Sequence, residues 1–411
     1  MSTEKQPSKA MIVLRQALSS SWFVSILAVL IAFALGAILI VMAGASITDA
    51  YYAMFRGAIF DPEATTFQRQ IKPLTDSFFY AIPLIIGGLG LGFGFRAGLF
   101  NIGGQGQVIF GALAAVWVGF ALEMPPVIHT LVAISAAIFA GAFYAGIAGV
   151  LKAKTGANEV IVTIMLNSIA GLALGYILTK KSWQVPGSNQ PQTPEVADTA
   201  ELIRLLPAPF KLHAGILVVV LAVLVYWWLL DRSTLGYEVR AVGANPDAAR
   251  TGGISVARIT ALTMIISGGF MGLAGANEAL GTIGYVSRNV AGSIGFDAIT
   301  VALLGRNKPL GTFFAGLLFG AFKAGGYIMQ SKGVPIDMIL ILQSVIVLLI
   351  AAPALVRWLF HLPKPTGKSL RAQFAAIGGT TPAAAGTGAV SEPHTTASGD
   401  EAADESKGAA R

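Results

Sequence analysis

The sequence predicts an all-α membrane protein, a polytopic bundle of about ten transmembrane helices with broken or re-entrant segments. Three observations predict it. Of 411 residues, 55% are hydrophobic and 12% charged, about half the charge of a soluble domain. Apolar runs of spanning length, about 17–25 residues, recur along most of the chain. Forty-eight glycines are too many for rigid cylinders facing lipid, and small residues recur at four-residue steps that let helix backbones approach closely. These are Gly90, Gly94 and Gly98; Gly141, Ala145 and Gly149; Gly268 and Gly272; Gly316 and Gly320.

Taken in order, residues 1–21 carry Lys5, Lys9 and Arg15 and form a cytoplasmic N-terminal segment. The first span, 22–43, exceeds a signal-peptide core and no small-residue cleavage site follows it, so it is expected to be retained. A polar excursion with Arg56, Asp61, Glu63 and Arg69 leads to spans at 76–95, 104–122, 127–150 and 158–179. A second excursion, 180–212, is rich in proline. Spans follow at 213–230 and 256–279, then a short piece near 285–304, and spans at 310–329 and 336–360. Counting the short piece as a crossing places both termini in the cytoplasm, together with Lys152, Lys154, Arg232, Arg240, Arg250, Arg258, Arg306, Lys308, Arg357 and Lys364. That is the side where basic residues concentrate, although Lys180, Lys181 and Lys211 stay outside. The organisation is therefore a transmembrane domain over 22–360, with a cytoplasmic loop at 231–255, and a tail over 361–411. The tail, rich in Ala, Gly, Thr, Ser and Glu, is predicted to be disordered and cytoplasmic.

Several function classes are excluded. The net charge of +7 is spread through short loops rather than gathered in a nucleic-acid footprint. No cysteine is present and the four histidines are scattered, so no thiolate chemistry and no metal site is expected. Thr366–Ser369 reads TGKS, but Leu362 stands where a phosphate-binding loop needs its first glycine. No cofactor is expected, and ATP hydrolysis must come from a partner.

Three segments carry the chemistry. In the loop 231–255, Asn245 is a good N-cap, Pro246 suits the first helical turn, and Asp247 complements the helix dipole. Gly252 and Gly253 supply a stop. A short helix over 246–251 is predicted, suited to docking a cytoplasmic motor subunit or standing as an unpartnered amphipathic loop. In FRAGLFNIGGQGQ, Phe95–Gln107, Arg96 and four glycines interrupt an apolar stretch. Such backbone lines a cavity or forms a structural turn, and Asn101 is expected to cap the helix after it, turning free N–H groups toward a polar passenger. In GANEVIVTIMLN, Gly156–Asn167, Asn158, Glu159 and Asn167 lie on the fifth span; Glu159 reads either as functional or as a favourable first-turn acid. Lys323 is expected in the outward half of its span, snorkelling or facing a cavity. Asn277 and Glu278 are expected at an interface at the end of their span.

The three segments resemble the branched-chain amino-acid, ribose and nucleoside permease family of ABC importers, whose coupling loop typically reads G-x-N-P-x-A-A-R-x-x-G-I. Gly243, Asn245, Pro246, Ala248, Ala249, Arg250, Gly253 and Ile254 occupy those positions. The other two segments resemble its nucleoside and simple-sugar branch, whose members typically have Glu where this chain has Gln105. The resemblance, over roughly residues 20–360, implies a permease subunit in the cell membrane forming a path for nucleosides or simple sugars by alternating access. It implies as partners a cytoplasmic ATP-binding subunit, a second homologous or identical permease, and an external substrate-binding protein, with membrane lipid as the solvent. Gly243 and Asn245–Arg250 with Gly253, Asp247 included, would couple to the ATPase. Asn101, Gln105, Asn158, Glu159, Asn167 and Lys323 are the path candidates. The rivals are an ion-coupled secondary transporter of a small polar solute, which wants paired carboxylates or histidines deep in the spans, and an intramembrane enzyme, which wants a nucleophile–base pair or metal cluster.

Overall fold

Apolar helices in lipid must satisfy every backbone group internally, and the described part of the chain is built mainly of helices. The computed structural model describes residues 21–361 apart from 186, 189, 332, 336–339, 342, 343, 346, 347 and 350–359. The expectations for the N-terminal segment, most of 336–360, the TGKS run and the tail lie outside the described residues. Twelve α-helices are described: α1 Ser21–Met42, α2 Ile47–Ala58, α3 Phe67–Arg96, α4 Gly104–Ala121, α5 Ile128–Thr155, α6 Glu159–Ile177, α7 Gly215–Trp227, α8 Thr234–Ala244, α9 Pro246–Thr251, α10 Val256–Asn277, α11 Ile294–Leu304 and α12 Pro309–Gln330. Wider π turns extend α7 to Arg232 and α10 to Ile283. Among the described residues there are only two isolated β-bridges. Among the described residues seven helices are long and apolar enough to cross a membrane, or eight if the pair α1–α2, bent by 118°, makes one broken span.

The helix α3 is the mast of the bundle. Its 30 residues rise about 45 Å, well beyond a hydrocarbon core of about 30 Å. Ile82, Leu84, Ile85, Ile86, Leu89, Leu91 and Phe93 are all fully buried, so both its flanks face protein. It begins nine residues before the expected span because its first turns are polar; Lys72 and Asp76 pair one turn apart. The first excursion likewise contains α2, capped by Ser46, whose hydroxyl accepts from the Asp49 N–H.

The small residues sit where backbones meet. A Cβ on Gly272 would strike the Ala137 carbonyl of α5, and one on Gly268 would strike Ala145 and the Gly141 carbonyl. Gly316 and Gly320 press on Ile85 and Ser77 of α3. By contrast α6 is the least buried span, with Ile161, Met165, Ile169 and Leu172 exposed.

The piece near 285–304 holds a helix shorter than the other spans. Helix α11 has 11 residues, a rise of about 16 Å, and residues before it run through turns such as Gly292 N–H to the Asn289 carbonyl. The segment after α6 is pinned rather than loose: the N–H groups of Thr193, Val196, Ala197 and Leu202 donate to carbonyls of Val286, Gly284, Gly119 and Leu280.

Candidate functional site

The turn after α3 re-enters the bundle and is braced from three sides. Asn101 is fully buried. Its Nδ2 donates to Gln107 Oε1 at 3.1 Å and to Ser267 Oγ of α10 at 3.0 Å, and its Oδ1 accepts from the Gly103 N–H at 2.9 Å. The expected side-chain cap on α4 is therefore not formed: the N-cap position belongs to Gly103, without a side-chain bond. A tertiary partner 166 residues away has claimed the amide. Asn167 of α6 donates to the Ile102 carbonyl and accepts from the Gly106 N–H, both at 2.8 Å. Thr163 Oγ1 accepts from the Ile102 N–H at 3.3 Å. Both ends of the Asn167 amide are thus spent on backbone, shaping the loop. Nearer the end of the bundle, Glu159 is ion-paired with Lys152 and accepts from the Phe100 N–H at 3.4 Å. Asn158 is exposed and caps α6, accepting from the Val160 and Ile161 N–H groups.

Gln105 connects this loop to a cavity. Its Nε2 donates to the Gly292 carbonyl at 2.6 Å and its Oε1 accepts from the Gly295 N–H at 3.0 Å. An amide makes both bonds; an ionised Glu makes one. Gly292 in turn lines a cavity of about 350 Å³ with Tyr80 and Pro83 of α3, Glu278 and Thr282 after α10, Ser293, and Lys323 and Tyr327 of α12. That volume falls within the range of small-molecule sites, about 300–1,000 Å³. Lys323 Nζ stands 2.8 Å from Asp297 Oδ2 and 3.3 Å from Ser293 Oγ, and Ser293 donates to Asp297 at 2.7 Å. Lys323 therefore faces the cavity and does not snorkel. Glu278 lines the same space, and Asn277 is buried with neither amide atom partnered.

A second, polar groove of about 900 Å³ adjoins the first and is lined by Arg56, Asp61, Arg69, Lys72, Asp76 and Lys211. Tyr80 and Tyr327, with centroids 5.4 Å apart, line both spaces. Sequence reasoning missed Tyr80, Tyr327, Ser293 and Asp297; Asp297, an acid inside an apolar run, was the signal available.

The opposite end of α3 meets the 231–255 segment. A Cβ on Gly243 would fall on the Arg96 carbonyl, and Arg96 Nε donates to the Asn307 carbonyl at 3.1 Å. Beyond it α9 forms over Pro246–Thr251, with Asn245 Oδ1 accepting from the Asp247 and Ala248 N–H groups at 3.0 and 3.1 Å. Gly253, at φ +84°, closes it: its N–H donates to the Arg250 carbonyl and that of Ile254 to Ala249, a Schellman stop. Asn245, Pro246, Asp247, Ala248 and Arg250 are exposed, whereas Ala249 is buried. Ala248 and Ala249, both coupling candidates, thus present different faces, because neighbours on a helix are about 100° apart.

Residues 74–351 match the family described as branched-chain amino acid transport system / permease component. The chain belongs to this permease family. The permease is 37% identical over 354 residues to the guanosine ABC transporter permease protein of Bacillus subtilis, covering 85% of this chain and 98% of that protein. It is 35% identical to the glucose ABC transporter permease protein of Haloferax volcanii, over 79% of this chain and 85% of that one. It is 30% identical to a nucleoside ABC transporter permease protein of Lactococcus lactis, over 85% and 94% respectively. Bacillus subtilis and Lactococcus lactis each have a second guanosine or nucleoside permease protein that also matches. No solved structure matches. The permease is accordingly a multi-pass membrane protein, a transport component of an ABC transporter, and the ion-coupled secondary transporter is not favoured.

Proposed function

We propose that this permease carries nucleosides or related simple sugars inward by alternating access, paired with a second permease subunit and driven by a cytoplasmic ATP-binding subunit. An external substrate-binding protein delivers the passenger on the side of the polar groove. The reading rests chiefly on the 37% identity with a guanosine permease across almost all of that protein. The geometry supports it: a capped, exposed α9 at one end of α3, and two adjoining spaces toward the other. Tyr80 and Arg96 lie 16 residues apart on one helix, about 24 Å, so motor contact and passenger space are well separated. In this reading both termini and α9 are cytoplasmic, and the exposed face of α6 is available to the second permease or lipid. Asn101, Gln105 and Asn167 shape the passage, Glu159 and Asn158 fix its inner mouth, and Lys323 meets the passenger.

The test is uptake by the assembled transporter in proteoliposomes, with radiolabelled guanosine or glucose. Uptake should need internal ATP and survive collapse of ion gradients. Uptake driven by a gradient without ATP would overturn the reading.

A further inference from the structure

The cavity shared by α3, α12 and the turns before α11 has a definite chemistry. Two tyrosine rings, tilted 33° to one another, form one wall. One turn before Tyr327 on α12, Lys323 enters already ion-paired to Asp297, with Ser293 bridging the two. Glu278 adds a second carboxyl to the lining. The one ammonium of the lining is therefore already paired with Asp297, and Glu278, Ser293 and Thr282 offer carboxyl and hydroxyl partners for hydroxyl groups. A phosphate entering it would find no unpaired cation, and the carboxyl groups would disfavour it. A neutral ligand with a flat ring and a hydroxyl-bearing portion suits this lining: the ring packs on a tyrosine face, and hydroxyls exchange bonds with Ser293, Glu278 and the ion pair.

We propose that this cavity is the passenger-binding site, with Tyr80 and Tyr327 as the surface for the ring and the Lys323–Asp297–Ser293 cluster with Glu278 selecting neutral over phosphorylated ligands. The proposal rests on the nucleoside reading above and names the residues that carry its selectivity. Because the two tyrosines also line the outer groove, they stand on the way in.

The sequence contains no cysteine, so Ser293→Cys gives this chain a single thiol. In the assembled transporter, labelling of that thiol by a methanethiosulfonate reagent, read on this chain's own band, should be slowed by millimolar guanosine and not by guanosine monophosphate. Independently, Tyr80→Leu and Tyr327→Leu should each lower guanosine uptake about tenfold, the loss expected for a stacked ring. The Phe variants, which keep the ring, should retain most of it at equal amounts of assembled complex. Asp297→Asn, which frees the Lys323 ammonium, should make guanosine monophosphate an inhibitor of uptake. Equal protection by both compounds, or by neither, overturns the proposal, as does wild-type uptake in the Leu variants. If the wild-type transporter carries neither guanosine nor glucose, the functional reading fails instead, and guanosine protection of the thiol still decides the site.

Discussion

Ala248 and Ala249 are adjacent on α9, yet the first is exposed and the second is 5% accessible. In the proposed reading a motor subunit approaching this end meets Ala248, whereas Ala249 packs within the permease. Ala248→Trp should leave the permease at normal levels while uptake and substrate-stimulated ATP hydrolysis fall together. Ala249→Trp should instead reduce the amount of folded protein, because overpacking typically costs about 1–3 kcal/mol. Membrane yield, melting temperature and uptake separate the two. Wild-type transport by the Ala248 variant would remove α9 from the coupling path.

Gln105 uses both ends of its amide to hold the turn before α11. Gln105→Leu leaves the N–H of buried Gly295 without that partner, at about 1–3 kcal/mol, while the carbonyl of exposed Gly292 can turn to water. Gln105→Glu keeps the bond from Gly295 and loses the one to Gly292. Melting temperatures in detergent should therefore fall in the order wild type, Glu, Leu. Equal stability of all three would mean that the turn holds itself.

Glycines in this chain differ sharply in what a methyl group would cost. At Gly272 a Cβ has no room beside the Ala137 carbonyl and Gly141, while at Gly171 on α6 nothing lies within 4 Å. Gly272→Ala should separate α10 from α5 and sharply reduce folded protein, and Gly171→Ala should express normally. Comparing the two by size-exclusion profile checks the crossing directly. A loss confined to Gly171→Ala would place a partner on that face of α6.

His213, in the loop before α7, is buried against the edge of Phe79. Burial, reinforced by Arg204, lowers its pKa to about 4, so the folded protein holds it neutral, with Nδ1 accepting from the Gly215 N–H at 3.1 Å. The unfolded chain binds its proton near pH 6.5. Stability from this group is thus full above about pH 6.5 and declines as pH falls toward 4, by about 3 kcal/mol in all. Thermal inactivation between pH 7.5 and 4.5 should show that decline, and His213→Gln should flatten it. An identical slope in the variant would assign the acid sensitivity elsewhere.

What the sequence made legible was local. The bounds of α9 follow from Asn245, Pro246 and Gly253, whose capping chemistry is complete within nine residues. The four-residue spacing of Gly268 and Gly272 likewise anticipated a close crossing. Features that depend on distant partners were not legible. Asn101 looks like a cap until Ser267 is brought beside it. The Tyr80–Tyr327 pair joins positions 247 residues apart in sequence, and Lys323 is one residue among many until Asp297 meets it. Helix α2 was hidden because its stretch, ITDAYYAMFRGA, is mixed in composition and gains its apolar partner from α12.

The fully enclosed middle of α3 constrains how the protein is made. Its neighbours α10 and α12 are synthesised more than 150 residues later, so during biogenesis its glycine-bearing flanks face lipid or the insertion machinery, without the surfaces they were shaped to meet. Ile85 waits for Gly316, and Gly90 for Phe270. The early half of the chain is therefore a provisional assembly in the bilayer. A ribosome stalled before residue 256 would leave a membrane-inserted fragment whose central helix lacks α10, α11 and α12, a natural substrate for membrane quality control.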